Sequence, residues 1–163
     1  MLPNTFEYLR PADLAETLNV LDQLKGNRVD VLAGGTDLIP ALRAGVRKPD
    51  YVVDLAGKGL DEVVFESDRV RIGALLVTFT TLCEHPEVIR RLPAIGEAAI
   101  EVGAVQCRNL ATIGGNVCNA VPSLDSGPAL LALGASFRLQ SKYSWVSFRP
   151  DRGAGSSTDP CST

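Results

Sequence analysis

Leu14, Leu18 and Leu21 fall at i, i+4 and i+7 within RPADLAETLNVLDQL, a spacing that predicts a helix with one apolar face. Pro11 suits the start of that helix, and Gly26 with Asn27 ends it. VDVLAGG then reads as a short strand entering a glycine turn. TDLIPALRAG reads as a helix that opens directly after the turn and closes near Gly45. DYVVDL is a second β-type run. Residues 1–55 are therefore expected to form a small α/β lobe.

The pattern then changes. LDEVVFES and RVRIGALL are short β-rich runs, with Glu66, Ser67 and Asp68 as the turn between them. From about Thr80 to Val102 the pattern is helical, with breaks at Pro86 and Pro93. Arg108 to Ala120 is polar and glycine-bearing and shows no clean period. GPALLALGA predicts a compact helix, with Pro128 in its first turn and Gly134 at its end, and SFRLQS returns to strand. Residues 56–140 are expected to form a larger α+β lobe. FRPDRGAGSSTDPCST offers no packed face after Phe148, so 141–163 is expected to be an atypical, disordered tail in which Trp145 is tied down.

Length and composition narrow the class. A chain of 163 residues suits one domain, or two small lobes that share a core. Hydrophobic residues make up 45%, enough for a packed interior, and the formal net charge of -3 gives no electrostatic reason to expect nucleic acid or an anionic membrane. The cysteines at 83, 107, 118 and 161 form no CxxC pair, and a single histidine cannot complete a ligand set. Structural zinc or an iron–sulfur cluster within this chain is not expected. Scattered thiols fit a reducing, cytoplasmic setting, although four could pair in principle. The first residues lack the basic-then-apolar order of a signal peptide, and no apolar run is long enough to span a membrane.

Two glycine pairs carry the candidate chemistry. In Ala33, Gly34, Gly35, Thr36, Asp37 and Leu38 the chain leaves a strand and enters a helix. Backbone N–H groups there point one way, and the helix dipole adds positive charge, which suits a phosphate. The glycines are expected to permit positive φ and to leave room for a phosphate oxygen. Thr36 is expected to cap the helix or donate to the anion, and Asp37 to cap N–H groups or bind a ribose hydroxyl. Neither GxGxxG nor a P-loop is present. Taken alone, the stretch is more simply a strand-to-helix turn that holds no ligand. In ATIGGNVCNA, Thr112, Gly114, Gly115, Asn116 and Asn119 combine close backbone approach with donors and acceptors. Asp125 follows, either as a helix N-cap or as an acceptor for sugar or ribityl hydroxyls. Together the two pairs and the carboxylate would suit a dinucleotide-like cofactor.

Other residues carry less. His85 has no evident serine or cysteine partner for a hydrolytic triad. Cys107 and Cys118 are core residues or approach a cofactor. Arg108 faces a phosphate or holds carbonyls. Tyr8 and Tyr51 are read as packing residues.

At this point the chain resembles the FAD-binding (medium) subunit of the molybdenum hydroxylases, the group that includes xanthine dehydrogenase and carbon monoxide dehydrogenase. LAGGTDLIPALRAG resembles that family's first FAD loop. QCRNLATIGGNVCNAVPSLDSGPALLALGA resembles its second, and RVRIGALLVTFTTL the segment between them. The likeness spans residues 3–140. It implies a two-lobed α+β, PCMH-type FAD-binding domain with FAD in the cleft. It implies that Ala33, Gly34, Gly35, Thr36 and Asp37 wrap the pyrophosphate, with Leu38 continuing the turn. Thr112, Gly114, Gly115 and Asn116 would hold the other side, Asp125 would take ribityl or ribose hydroxyls, and Ala74 would lie against the cofactor. The implied activity is that of an FAD-dependent oxidoreductase subunit. Electrons would arrive from the [2Fe–2S] clusters of an iron–sulfur subunit, beside a molybdopterin-binding subunit, and leave to NAD or another acceptor. No side chain of this chain is implied as a general acid or base. The family runs to nearly twice this length, so the end of the chain reads as a truncation, an altered frame or a fragment. A non-catalytic assembly domain with weak FAD binding is the alternative.

Overall fold

The computed structural model describes residues 4–75, 79–122 and 124–149. Its first portion is a three-stranded parallel sheet built from β1 (Glu7–Leu9), β2 (Val29–Leu32) and β3 (Tyr51–Asp54), in the order β1-β3-β2. Val53 lies between Leu9 and Val31 in register. The central position of β3 explains its sequence: Val52 and Val53 are fully buried, as parallel strands require. Helix α1 (Leu14–Gln23) connects β1 to β2, and α2 (Leu38–Arg43) connects β2 to β3.

Helix α1 starts at Leu14, later than Pro11 suggests, because Asp13 is the N-cap. The Asp13 carboxylate accepts from the Glu16 N–H at 2.8 Å, and the Glu16 carboxylate reaches back to the Ala12 N–H. This reciprocal pairing satisfies donors that the first turn would otherwise leave unmet. Pro11 is buried ahead of the helix, and its carbonyl accepts from the buried Lys58 Nζ.

The rest is α+β. Strands β4 (Val63–Phe65) and β5 (Val70–Ile72) form an antiparallel pair closed by a Glu66 N–H to Arg69 carbonyl bond of 2.9 Å. Helices α3 (Phe79–Glu84), α4 (Pro86–Arg91) and α5 (Pro93–Glu101) follow, with each proline at the first helical position, where its missing N–H costs nothing. Then come α6 (Val105–Arg108), α7 (Ile113–Asn119), α8 (Ser126–Ala132) and the antiparallel pair β6 (Phe137–Gln140) and β7 (Trp145–Phe148). The main core joins Phe79, Leu82, Val88, Ile95, Ala99, Val102, Ala111, Ile113 and Leu130. No helix among the described residues is long and apolar enough to cross a membrane.

Three sequence expectations change. Strand β1 was not anticipated, because three residues are too few to show alternation. The stretch 108–120 is not an irregular loop: it carries the end of α6 and all of α7. Glycines weaken helices intrinsically, so α7 is specified by its Thr112 cap and by the packing of Ile113 and Val117 onto the core. The expected tail begins as an ordered hairpin, with Phe137 opposite Phe148 and Gln140 opposite Trp145. The remainder, 150–163, including Cys161, lies outside the described residues.

That hairpin is latched to the first portion. The Tyr143 hydroxyl donates to Asp22 Oδ2 at 2.8 Å, and Lys142 lies 3.5 Å from the same oxygen. Lys25 pairs with the other carboxylate oxygen. The hydrogen bonds from Lys25 and then Tyr143 hold the Asp22 carboxyl at about 2, below its ordinary value. A depressed carboxyl stabilises the fold fully above its unfolded pKa and loses that contribution as pH falls through its folded pKa. The window therefore runs from about pH 4 down to about pH 2. Asp22→Asn is expected to flatten the acid decline of the thermal midpoint across that window, measured by circular dichroism.

Ala120, the residue that ends α7, has φ 49° and ψ 36°. Left-handed backbone costs a non-glycine residue roughly 1–2 kcal/mol. Ala120→Gly is expected to raise stability by about 0.5 kcal/mol after the extra freedom of glycine in the unfolded chain is subtracted. Urea denaturation would show this as a higher midpoint at unchanged slope.

Candidate functional site

The carboxyl ends of β2 and β3 lie side by side, and the Leu55 N–H donates to the Leu32 carbonyl at 2.9 Å. Beyond them the chain turns out as Ala33–Asp37 on one side and Leu55–Ala56 on the other. The segment 109–112 comes up against both. The three segments, with Leu75, enclose a cavity of about 200 Å³ lined by Ala33, Gly34, Leu55, Ala56, Leu75, Asn109, Leu110 and Thr112. Ligands of open α/β sheets bind at this carboxyl edge. A wider depression of about 340 Å³ lies among residues that precede the strands, between Asn4, Thr5, Arg28, Lys48, Pro49 and Asp50. Arg28 is already tied to Asp50 there, and no residue singled out in the sequence lines it.

Backbone donors distinguish the two glycine stretches. Among the described residues, none of the N–H groups of residues 34–38 has a hydrogen-bond acceptor in the protein; the first intramolecular bond of this stretch is Ile39 N–H to the Gly35 carbonyl at 3.0 Å. Gly35 sits at φ 74°, the left-handed region that aims successive N–H groups into one concavity. This run of donors fits an anion. The second stretch does not offer the same thing. The Gly114 N–H donates to the Ala74 carbonyl at 2.9 Å, the Gly115 N–H to Thr112 Oγ1 at 3.0 Å, and the Asn116 N–H to the Thr112 carbonyl at 2.9 Å.

The glycines of this site chiefly allow contact between segments. A Cβ built on Gly34 would stand 1.8 Å from the Leu110 carbonyl oxygen, so no side chain fits between the first turn and residue 110. Gly34 does not adopt positive φ, contrary to the expectation for it; Gly35 does. A Cβ on Gly114 would meet the Ala74 oxygen at 2.5 Å, and one on Gly115 would meet Thr112 Oγ1 at 2.9 Å and the Ala33 Cβ at 3.8 Å. Ala33, Gly34, Ala74, Thr112, Gly114 and Gly115 are thus brought into one knot. Thr112 is buried and caps α7.

The polar residues divide. Thr36, Asp37 and Leu38 continue the first turn into α2. The exposed Asp37 stands at the N-cap position of α2 without a side-chain capping bond. Asp125 precedes α8 and is also exposed, again with no capping bond, so neither carboxylate performs the capping role considered for it. Asn116 is joined to α8 through Ser126, whose Oγ lies 2.6 Å from Asn116 Oδ1. Asn119 is exposed at the end of α7.

The remaining candidates resolve into structural roles. Arg108 donates to the carbonyls of Ile100 at 2.9 Å and Gly103 at 2.7 Å, which fixes the end of α5 and rules for the carbonyl-holding alternative. His85 caps α4 by accepting from the Glu87 N–H at 3.2 Å. Cys107 and Cys118 are exposed. Tyr8 is half exposed and donates to Asp54, which raises the pKa of its phenol. Leu55, Ala56, Leu75, Asn109 and Leu110 line the cavity but were not singled out in the sequence. Asn109 had one signal, a polar residue two positions before ATIGG; the apolar ones had none. Among the described residues that line the cavity, no side chain is ionisable.

Residues 4–148 match the family described as FAD binding domain in molybdopterin dehydrogenase. This chain belongs to that family. Its members similar to this chain include the nicotinate dehydrogenase FAD-subunit of Eubacterium barkeri, 37% identical over 137 residues, covering 83% of this chain and 46% of the relative. The carbon monoxide dehydrogenase medium chain of Afipia carboxidovorans is 34% identical over 140 residues, covering 85% of this chain and 48% of the relative. In three dimensions the chain resembles a carbon monoxide dehydrogenase from Hydrogenophaga pseudoflava that lacks the Mo-pyranopterin moiety of its molybdenum cofactor. That match has a TM-score of 0.86 at 31% identity and covers 93% of this chain and 52% of the other. The chain spans about half the length of the curated relatives it matches. The family's α+β fold agrees with the architecture expected from the sequence, and the match extends past residue 140 to include β7.

Proposed function

We propose that this chain is the two-lobed FAD-binding part of a molybdenum-containing hydroxylase, a cytoplasmic oxidoreductase subunit through which electrons pass. The source would be the [2Fe–2S] clusters of a partner subunit, beside a molybdopterin-binding subunit, and the acceptor NAD or another oxidant. The observation that carries the reading is the run of unpaired N–H groups at residues 34–38, opening at the carboxyl edge of a parallel sheet in a chain of this family.

When bound, FAD supplies chemistry that accepts electrons singly and releases them in pairs. The chain's own residues bind and orient. Ala33, Gly34, Gly35, Thr36, Asp37 and Leu38 form the turn whose N–H groups receive the pyrophosphate. Thr112, Gly114, Gly115 and Asn116 form the facing wall, with Ala74 packed behind Gly114. Asp125 accepts from ribityl or ribose hydroxyls, a role its uncommitted carboxylate leaves open.

The test is a visible absorbance scan of the purified chain before and after addition of FAD and desalting. Equimolar retained flavin is the expected result. A folded sample that keeps none would sink the reading and leave an assembly domain. Asp125→Ala is expected to weaken FAD binding by about 1–3 kcal/mol and to leave the thermal midpoint of the flavin-free protein unchanged, because no cap is lost. A lowered midpoint with unaltered affinity would return Asp125 to a structural role.

A further inference from the structure

Asn116 has two chemically opposite ends, and which one faces a ligand decides what it can recognise. Ser126, the first residue of α8, is 1% exposed. Its Oγ lies 2.6 Å from Asn116 Oδ1, ten residues away on α7. The hydroxyl donates and the amide oxygen accepts. The buried hydroxyl therefore takes up the carbonyl end of the amide. The Nδ2 end is left over, with donors and no acceptor among the described residues.

We propose that Ser126 is a positioning residue: it turns Asn116 so that the amide presents only N–H donors, which selects an acceptor-only ligand group such as a pyrophosphate oxygen over a hydroxyl. The inference rests on the FAD reading above and extends it to a residue outside the two glycine stretches. The clamp also ties α7 to α8, so one buried hydroxyl couples the wall of the site to the helix that follows Asp125.

Orientation is tested by comparing Ser126→Ala, Asn116→Ala and Asn116→Asp with the unaltered chain. The readouts are FAD affinity by flavin fluorescence quenching and the Asn116 side-chain amide signals by NMR of the flavin-free protein. Ser126→Ala is expected to weaken FAD roughly three- to tenfold, the loss of about one hydrogen bond, and to shift the Asn116 amide signals. Asn116→Asp keeps the shape and still accepts from Ser126, but it sets a carboxylate oxygen where the NH₂ stood. It should bind FAD more weakly than Asn116→Ala, because like charges repel. Asn116→Asp binding as well as or better than Asn116→Ala would overturn the proposal, and so would unmoved amide signals in Ser126→Ala. An unaltered chain that binds no FAD would sink the cofactor reading by itself, and the amide signals would then decide the clamp alone.

Discussion

Gly34→Ala is expected to lower stability by about 3 kcal/mol, the upper range for forcing a methyl group into packed structure, and to abolish retention of FAD. The added Cβ would stand 1.8 Å from the Leu110 carbonyl oxygen and 2.6 Å from its carbon. Both are backbone atoms, so no rotamer change relieves the contact, and the first turn must part from residues 110–111. Ala111 belongs to the main core, so the separation reaches the interior. Chemical denaturation of the flavin-free protein gives the stability change, and desalting after addition of FAD gives retention. Near-normal stability would mean that the two segments are not pressed together as the structure has them.

Gly114→Val is the second large effect. The Cβ would meet the Ala74 oxygen at 2.5 Å and the Ala74 Cβ at 2.7 Å, and the Gly114 N–H bond to that same oxygen would be strained or lost. A branched side chain adds bulk that Ala74, in the segment after β5, leaves no space to take. We expect a loss of about 3 kcal/mol together with loss of flavin. The two readouts separate two roles for this glycine. If it only left a path for phosphate, flavin would be lost while the flavin-free protein kept its stability. If it holds α7 against Ala74, both fall together, which is the outcome the geometry predicts.

Much of the fold is legible in local signals. Leu14, Leu18 and Leu21 mark α1, Pro86 and Pro93 mark the breaks between α3, α4 and α5, and the turn after Phe65 marks the β4–β5 pair. These signals are local because helix period, proline geometry and turn chemistry act over a few residues. What failed was short or held by distant contacts. β1 and β7 are ordered by pairing with β3 and β6. α7 carries two glycines in its first turn and is held by Thr112 and the core.

The candidate site divides the same way. Residue types alone singled out 33–38 and 112–116 as candidates, because paired glycines permit backbone conformations and close approaches that side chains forbid. They did not reveal what each glycine approaches. Gly34 was read as leaving room for a phosphate oxygen and Gly114 as permitting close backbone approach; the structure sets Gly34 against Leu110 and Gly114 against Ala74. Arg108 and His85, open to a functional reading in the sequence, are occupied by carbonyls and by an N-cap.

By itself the sequence determined the α+β class and most elements, since each is encoded within a few neighbouring residues. Only the tertiary structure decided that residues 34–38 keep their N–H groups unpaired while the second stretch uses its own, that Asp125 caps nothing, and that Ser126 fixes Asn116. The physical reason is that a hydrogen bond or a steric contact belongs to two groups at once. Where the second lies tens of residues away, as Leu110 does from Gly34, no local pattern carries it.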